Sequence, residues 1–280
     1  MLLASFAFAC MGVCIKLSLG KFSIGEIVFF RSSLGWVLMQ GFVALRGLDL
    51  RTPYFKAQVG RAAVGLIGMT TFFAAISLLP LATAITLQYT APLFMGLVLA
   101  FWFHEPIPPR AALMLILGFV GIILLLQPTL GRDDWIGAAV GLGAGVLATL
   151  ALLNVRRLGQ LGEPEWRTVY YFSAIGSLVG VVWVAVSGGF HAMNVRDTAL
   201  LLGVGGFGTI GQVAMTTALK HGKALLVANL SYATVVFGSI FGLLLWGESM
   251  PAVAWTGMAL IVASGMVMTA LSRTAPAEAD

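Results

Sequence analysis

The chain has 280 residues, 59% of them hydrophobic and only 10% charged, with a formal net charge of +5. So few charges cannot cover the surface of a soluble domain of this size, so composition excludes a soluble globular enzyme and points to the membrane class. The basic residues sit in short gaps between apolar runs rather than in a stripe, which argues for membrane topology and against nucleic acid.

A membrane span needs roughly 20 mostly apolar residues. Ten runs qualify, at 2–19, 25–45, 60–79, 81–103, 110–127, 135–155, 167–187, 198–219, 224–246 and 252–271. The first enters directly with Leu2-Leu3-Ala4 and lacks the positive leader and cleavage site of a secretory signal, so it is expected to be a retained span. Cys10 and Cys14 share one face of it and cannot form an ordinary disulfide there. Ser23-Ile24-Gly25-Glu26 fits a capping box opening the second span. Thr52-Pro53 fits an N-cap followed by a first-turn proline, and Pro106, Pro108 and Pro109 mark the turn after span four. The remaining loops are too short for a catalytic domain.

Lysine and arginine placement sets the orientation. With the amino terminus inside, the inner side holds Arg46, Arg51, Lys56, Arg61, Arg110, Arg156, Arg157, Arg167, Lys220, Lys223 and Arg273, while the outer loops hold Lys21, Arg132 and Arg196. That asymmetry predicts both termini in the cytoplasm. Lys16 and Arg31 fall within the outer parts of spans one and two. Trp102, Trp135, Trp166, Trp246 and Trp255 lie near span ends, as an interfacial belt would.

Shifting the chain by 143 residues lays Gly65-Leu66-Ile67-Gly68 on Gly208-Thr209-Ile210-Gly211, Tyr89 on Tyr232 and Glu105 on Glu248. One offset shared by separate features marks an internal repeat. Five spans per copy is an odd number, so the second copy enters from the opposite side. Inverted repeats of this kind build many transporters, with solute sites near the bilayer midplane. The expected fold is an all-α integral membrane protein of ten transmembrane helices in two inverted five-helix repeats, 1–130 and 131–273, with a polar tail at 274–280.

This pattern resembles the drug/metabolite transporter superfamily, specifically its EamA-type ten-span members. The resemblance is carried by Lys16, by Gly25-Glu26-Ile27-Val28-Phe29-Phe30-Arg31, by Tyr89-Thr90-Ala91-Pro92 through His104-Glu105-Pro106, and by Gly118-Phe119-Val120-Gly121. The second copy departs from it, with Val235 where Pro92 stands and no arginine opposite Arg31. The resemblance implies export of amino acids or related metabolites by alternating access, and similarity to bacterial aromatic amino acid exporters.

Polar side chains inside hydrocarbon need a partner helix, a cavity or a substrate. Thr86 and Tyr89 in span four and Asn229 and Tyr232 in span nine form matching half-polar stripes, read as the walls of a central pathway. Gln88, Thr90, Asn154 and Gln212 are the further candidates for holding an ammonium or carboxylate group. For each of these residues the competing reading is an ordinary interhelical hydrogen bond. Lys16, Glu26 and Arg31 form a candidate charge cluster at the outer vestibule, drawing in an anionic group or, in the favoured reading, locking the first hairpin through a Glu26 pairing. Gly65, Gly68, Gly208 and Gly211 are the candidate close-packing or hinge glycines, joined by Gly137, Gly141 and Gly145 in span six and Gly238 with Gly242 in span nine.

No carboxylate occupies the middle of a predicted span, and His104, His191 and His221 lie at boundaries, so an obvious proton relay is missing. GxxxxGK[ST], HExxH, GxSxG and clustered Cys/His ligands are also absent from the sequence. The expectation is a secondary transporter of the bacterial inner membrane, a facilitator or weakly proton-coupled exporter. It is expected to have no catalytic residue, metal or cofactor, its partners being a small-molecule substrate and membrane lipid. A monomer is compatible with this reading. A lipid scramblase and an integral membrane enzyme are the alternatives.

Overall fold

The structure, a computed structural model, describes residues 1–18, 21–79, 81–105, 107–128, 134–247 and 250–274. Glu248, Pro106 and Arg132, which entered the reading of the sequence, lie outside these residues, as does the side chain of Arg273.

Among the described residues the chain forms twelve helices and no strand. These are α1 (Leu2–Ser18), α2 (Ile24–Arg46), α3 (Phe55–Leu78), α4 (Leu81–Gln88), α5 (Ala91–Phe101), α6 (Pro109–Leu126), α7 (Trp135–Gln160), α8 (Glu165–Val186), α9 (Val195–His221), α10 (Ala224–Ser231), α11 (Ala233–Trp246) and α12 (Ala252–Thr274). Among the described residues nine helical runs are long and apolar enough to cross a membrane, and α1 is a shorter apolar helix of 17 residues, about 25 Å long at the usual rise. Large apolar side chains such as Leu45, Phe101, Val182 and Leu244 point outward, which suits hydrocarbon and not water. The protein is therefore an all-α, multi-pass membrane protein.

Two of the expected ten spans are interrupted. The run 81–103 is two helices, α4 and α5, separated at Tyr89 and Thr90; the run 224–246 is α10 and α11, separated at Tyr232. Under the 143-residue shift Leu81–Gln88 falls on Ala224–Ser231 end to end, and the first interruption falls on the second. The same shift lays α2 on α8 and α6 on α12 within a few residues at each end.

The chain divides into two compact units: Met1–Leu66 with Asn154–His221, and Ile67–Leu153 with Gly222–Asp280. Each takes helices from both halves of the sequence, and α3 and α7 are shared between them. In the first unit α2 runs antiparallel to α8, where Gly180 admits the backbone of Phe29, Gly25 admits Trp183, and the Ser33 and Ser177 hydroxyls share a 2.6 Å hydrogen bond. In the second, α6 and α12 cross backbone to backbone: a Cβ on Gly121 would stand 2.7 Å from the Gly257 carbonyl oxygen. Glycine is required there because nothing can yield.

Local chemistry fixes the helix ends. The capping box at α2 is complete, with the Ser23 hydroxyl accepting from the Glu26 amide at 3.3 Å and the Glu26 carboxylate accepting from the Ser23 amide at 2.8 Å. Gly47 closes the same helix at φ 60°, where a side chain would be strained. The expected cap at Thr52-Pro53 does not start α3, which begins at Phe55. Instead the Thr52 hydroxyl accepts from the Tyr54 amide and donates to Glu163, so it shapes a turn before the helix.

Candidate functional site

The helix interruptions in the second unit arise differently. Pro92 has no N–H, so the Gln88 carbonyl loses the donor that a continuous helix would supply four residues on. The Thr90 amide accordingly turns to Leu87 at 3.2 Å, a three-residue spacing, and the Thr90 hydroxyl bonds the same carbonyl. Along α7, Gly137, Gly141 and Gly145 face Leu79, Leu87 and Thr90, so this helix can lie close against α4 and its frayed end. Thr149 then donates to the Ala91 carbonyl at 2.9 Å.

Around Tyr232 no proline occurs. The break is a single tightened residue, with the Tyr232 amide bonded to Asn229 at 3.1 Å and the Val235 amide to Tyr232 at 3.0 Å. Packing holds it: the Tyr232 ring fills the space left by Gly118, where a Cβ would come within 2.6 Å of the ring and 3.0 Å of the Ser264 hydroxyl. Asn229 ties α10 to α6 by donating its Nδ2 to the Met114 carbonyl at 3.0 Å.

Tyr89 and Tyr232 meet, with ring centroids 6.3 Å apart and planes inclined by 55°. Tyr89 has Thr234 as its hydroxyl partner. Tyr232 is 0% exposed, and its hydroxyl has no hydrogen-bond partner among the described residues. The Gln88 Oε1 and Asn229 Oδ1 atoms are likewise buried without a partner. An unsatisfied buried polar atom costs about 1–3 kcal/mol. Three of them beside two opposed helix breaks make a set of groups waiting for hydrogen-bonding partners. Thr86, also buried, is engaged within the protein, and Thr90 is turned toward its own helix.

Asn154 and Gln212 belong to the first unit, so the structure does not gather all the expected polar residues in one compact unit. Asn154 is half-buried in α7. Gln212 is buried and lines a small pocket with Arg31, Ser32, Phe172, Ser173 and Thr209. Arg31 lies over the Phe172 ring at 5.5 Å from its centroid, and Arg61 over the same ring at 4.3 Å. Arg61, counted from the sequence among the inner-side charges at the start of the run 60–79, is only 4% exposed. α3 begins five residues earlier than the apolar run, and this carries Arg61 about 9 Å into the helix.

Within the expected group of Lys16, Glu26 and Arg31, the carboxylate pairs with His191 and not with either cation. Glu26 is fully buried and accepts from the His191 amide at 2.7 Å and pairs with its Nδ1 at 2.8 Å, a partner 165 residues away that spacing could not suggest. Lys16 is exposed near the end of α1. The four glycines all make close contacts: Gly65 faces Phe172, Gly68 faces Leu147, Gly208 faces Met11 and Arg31, and Gly211 faces Phe8.

Comparison with known proteins agrees with this architecture. Residues 1–127 match the EamA-like transporter family. The chain is 31% identical over 274 residues to the pseudopaline exporter CntI of Pseudomonas aeruginosa, covering 97% of this chain and 94% of that protein. It is 21% identical over 285 residues to the riboflavin transporter of Brucella anthropi, covering 98% and 100%. A solved crystal structure superposes with a TM-score of 0.81 at 20% identity, covering 98% of this chain and 96% of the other, and so has the same fold. With its helical membrane architecture and full-length relatives that move small metabolites, the chain belongs to the EamA-like transporter family of the drug/metabolite transporter superfamily and is a transporter, not an enzyme.

Proposed function

We propose that this protein exports amino acids or related small metabolites across a bacterial inner membrane by alternating access, both termini lying in the cytoplasm. The observation that carries the proposal is the pair of helix interruptions at Tyr89 and Tyr232, 143 residues apart and in ring contact. Interrupted spans expose backbone and side-chain polar groups at membrane depth, tolerated only where they line a cavity or are buried in protein. Tyr89, Tyr232, Gln88 and Asn229 are the groups that meet the solute, with Thr86 and Thr90 shaping the wall. Residues 1–130 and 131–273 are the two inverted copies. In support, helices paired by the 143-residue shift, α2 with α8 and α6 with α12, pack together within single units. Outward transport draws support from the pseudopaline exporter, whose name gives that direction. Flux runs downhill or with weak proton coupling, since α4, α5, α10 and α11 carry no acidic side chain.

A panel of radiolabelled amino acids and related metabolites, run in proteoliposomes with and without a pH gradient, tests this. Saturable downhill flux of at least one member is expected. Flux no greater than in empty liposomes for every member, or lipid flipping alone, overturns the reading.

A further inference from the structure

The first unit holds two arginines inside its membrane-spanning helices, Arg31 in α2 and Arg61 in α3, that no carboxylate neutralises among the described residues. Its acidic side chains are Glu26, Asp49, Glu163, Glu165 and Asp197. Glu26 is taken by Ser23 and His191, Glu163 by Thr52, Gln58 and Arg167, Glu165 by Lys220 and His221, and Asp197 by Lys21 and Asn194. Asp49 is exposed and accepts from the Arg51 amide. Neither Arg31 nor Arg61 has a carboxylate partner among the described residues.

Cation–π contact with Phe172 does not balance this. Such a contact contributes about 0.5–2 kcal/mol, whereas withdrawing an ion from water costs several, a cost that falls on the buried Arg61 in full and on the half-buried Arg31 in part. It also leaves the N–H donors without acceptors, and Arg61 Nε and Nη1 are indeed buried and unpartnered. Two more orphans share the surroundings of Arg31: the Nε2 donor of Gln212 and the hydroxyl of Ser32, both lining its pocket. Donors without acceptors, beside a doubled positive charge, line a small, partly open recess of about 10 Å³, room for a water-sized group such as one carboxylate oxygen, and favour an oxyanion, since a guanidinium edge and a carboxylate match in parallel hydrogen bonds.

We infer that the Arg31 pocket, with Phe172 in its lining, binds the carboxylate of a small organic anion, Arg31, Gln212 and Ser32 donating to it while Arg61, stacked on the same Phe172 ring, adds positive charge. The inference rests on the transport reading only in making that anion the solute.

The test uses the full chain in phosphatidylcholine nanodiscs, with succinate as probe and succinamide as its uncharged counterpart. Succinate is expected to raise the melting temperature and succinamide to leave it unchanged. Arg31→Gln should bind succinate about tenfold more weakly, the ratio set by losing one charge-assisted hydrogen bond. Gln212→Glu supplies an internal counter-charge, so it should melt higher than the natural protein without any anion and lose the succinate response, even if Arg31→Gln fails to fold. No succinate response, or a response equal to that of succinamide, overturns the inference. So does a Gln212→Glu protein that melts no higher, or stabilisation by phosphatidylglycerol discs with none by succinate, which would assign the recess to a lipid headgroup. Binding is read here without transport. A protein that binds succinate but moves no solute removes the transport reading alone, and one that moves solute without responding to succinate removes this one alone.

Discussion

The Tyr89 and Tyr232 rings lie 6.3 Å apart, at the two points where a membrane-length apolar run stops being one helix. The two hydroxyls differ: that of Tyr89 has Thr234, while that of Tyr232 is buried with no partner among the described residues. Tyr232→Phe should therefore keep or raise thermal stability by up to about 1–3 kcal/mol, because it removes an unsatisfied group. Flux should fall if that hydroxyl meets the solute. Tyr89→Phe loses a made bond and should be neutral to about 1.5 kcal/mol less stable. Melting curves of both variants beside their flux separate these effects, and a large stability loss in Tyr232→Phe would mean that its hydroxyl is engaged.

The crossing of α6 and α12 should tolerate no added methyl. A Cβ on Gly257 would lie 2.5 Å from the Gly121 carbonyl oxygen and 2.6 Å from the Leu125 amide nitrogen, both backbone atoms. Gly257→Ala should cost about 1–3 kcal/mol, as overpacking does. Gly238→Ala is the control, since nothing lies within 4 Å of its Cβ position. It should be neutral or gain up to about 1 kcal/mol from helix propensity. Equal melting temperatures for the two variants would contradict the crossing.

Much of this architecture was legible and some was not, for physical reasons. Hydropathy located the nine membrane-length helical runs and the shorter apolar α1, because a span must be apolar along its whole length. It could not locate the helix interruptions, which change no residue's polarity. Pro92 signals the first; the second rests on the Tyr232 ring seated against Gly118, a contact between residues more than a hundred positions apart. Tyr89, Tyr232, Gln88 and Asn229 were legible as polar groups in apolar sequence. Arg61 was missed because an apolar run at 60–79 hides a helix that begins at Phe55. The pairing of Glu26 with His191 left no trace in local spacing.

That last pairing carries its own prediction. Glu26 is fully buried and accepts from Ser23 and His191, whereas His191 is half exposed. Glu26→Ala removes the carboxylate half of the α2 capping box and the anchor of the 190s segment together, leaving the Ser23 hydroxyl cap in place, and should cost about 2–4 kcal/mol from the lost charge-assisted bonds to the Ser23 and His191 amides and the His191 ring. His191→Ala keeps the backbone amide bond and should cost no more than about 1–2 kcal/mol. Urea or thermal denaturation in detergent compares them. A milder effect for Glu26→Ala than for His191→Ala would refute the assignment of Glu26 as the hub.

The most direct measurement is exchange of a radiolabelled transported solute in proteoliposomes carrying the natural protein, Tyr89→Ala or Tyr232→Ala, each checked for a folded, monodisperse state. Solute contact at the paired helix interruptions predicts flux reduced by about tenfold or more in each variant, the effect of losing roughly 1.4 kcal/mol of contact. Undiminished flux in both folded variants would contradict it.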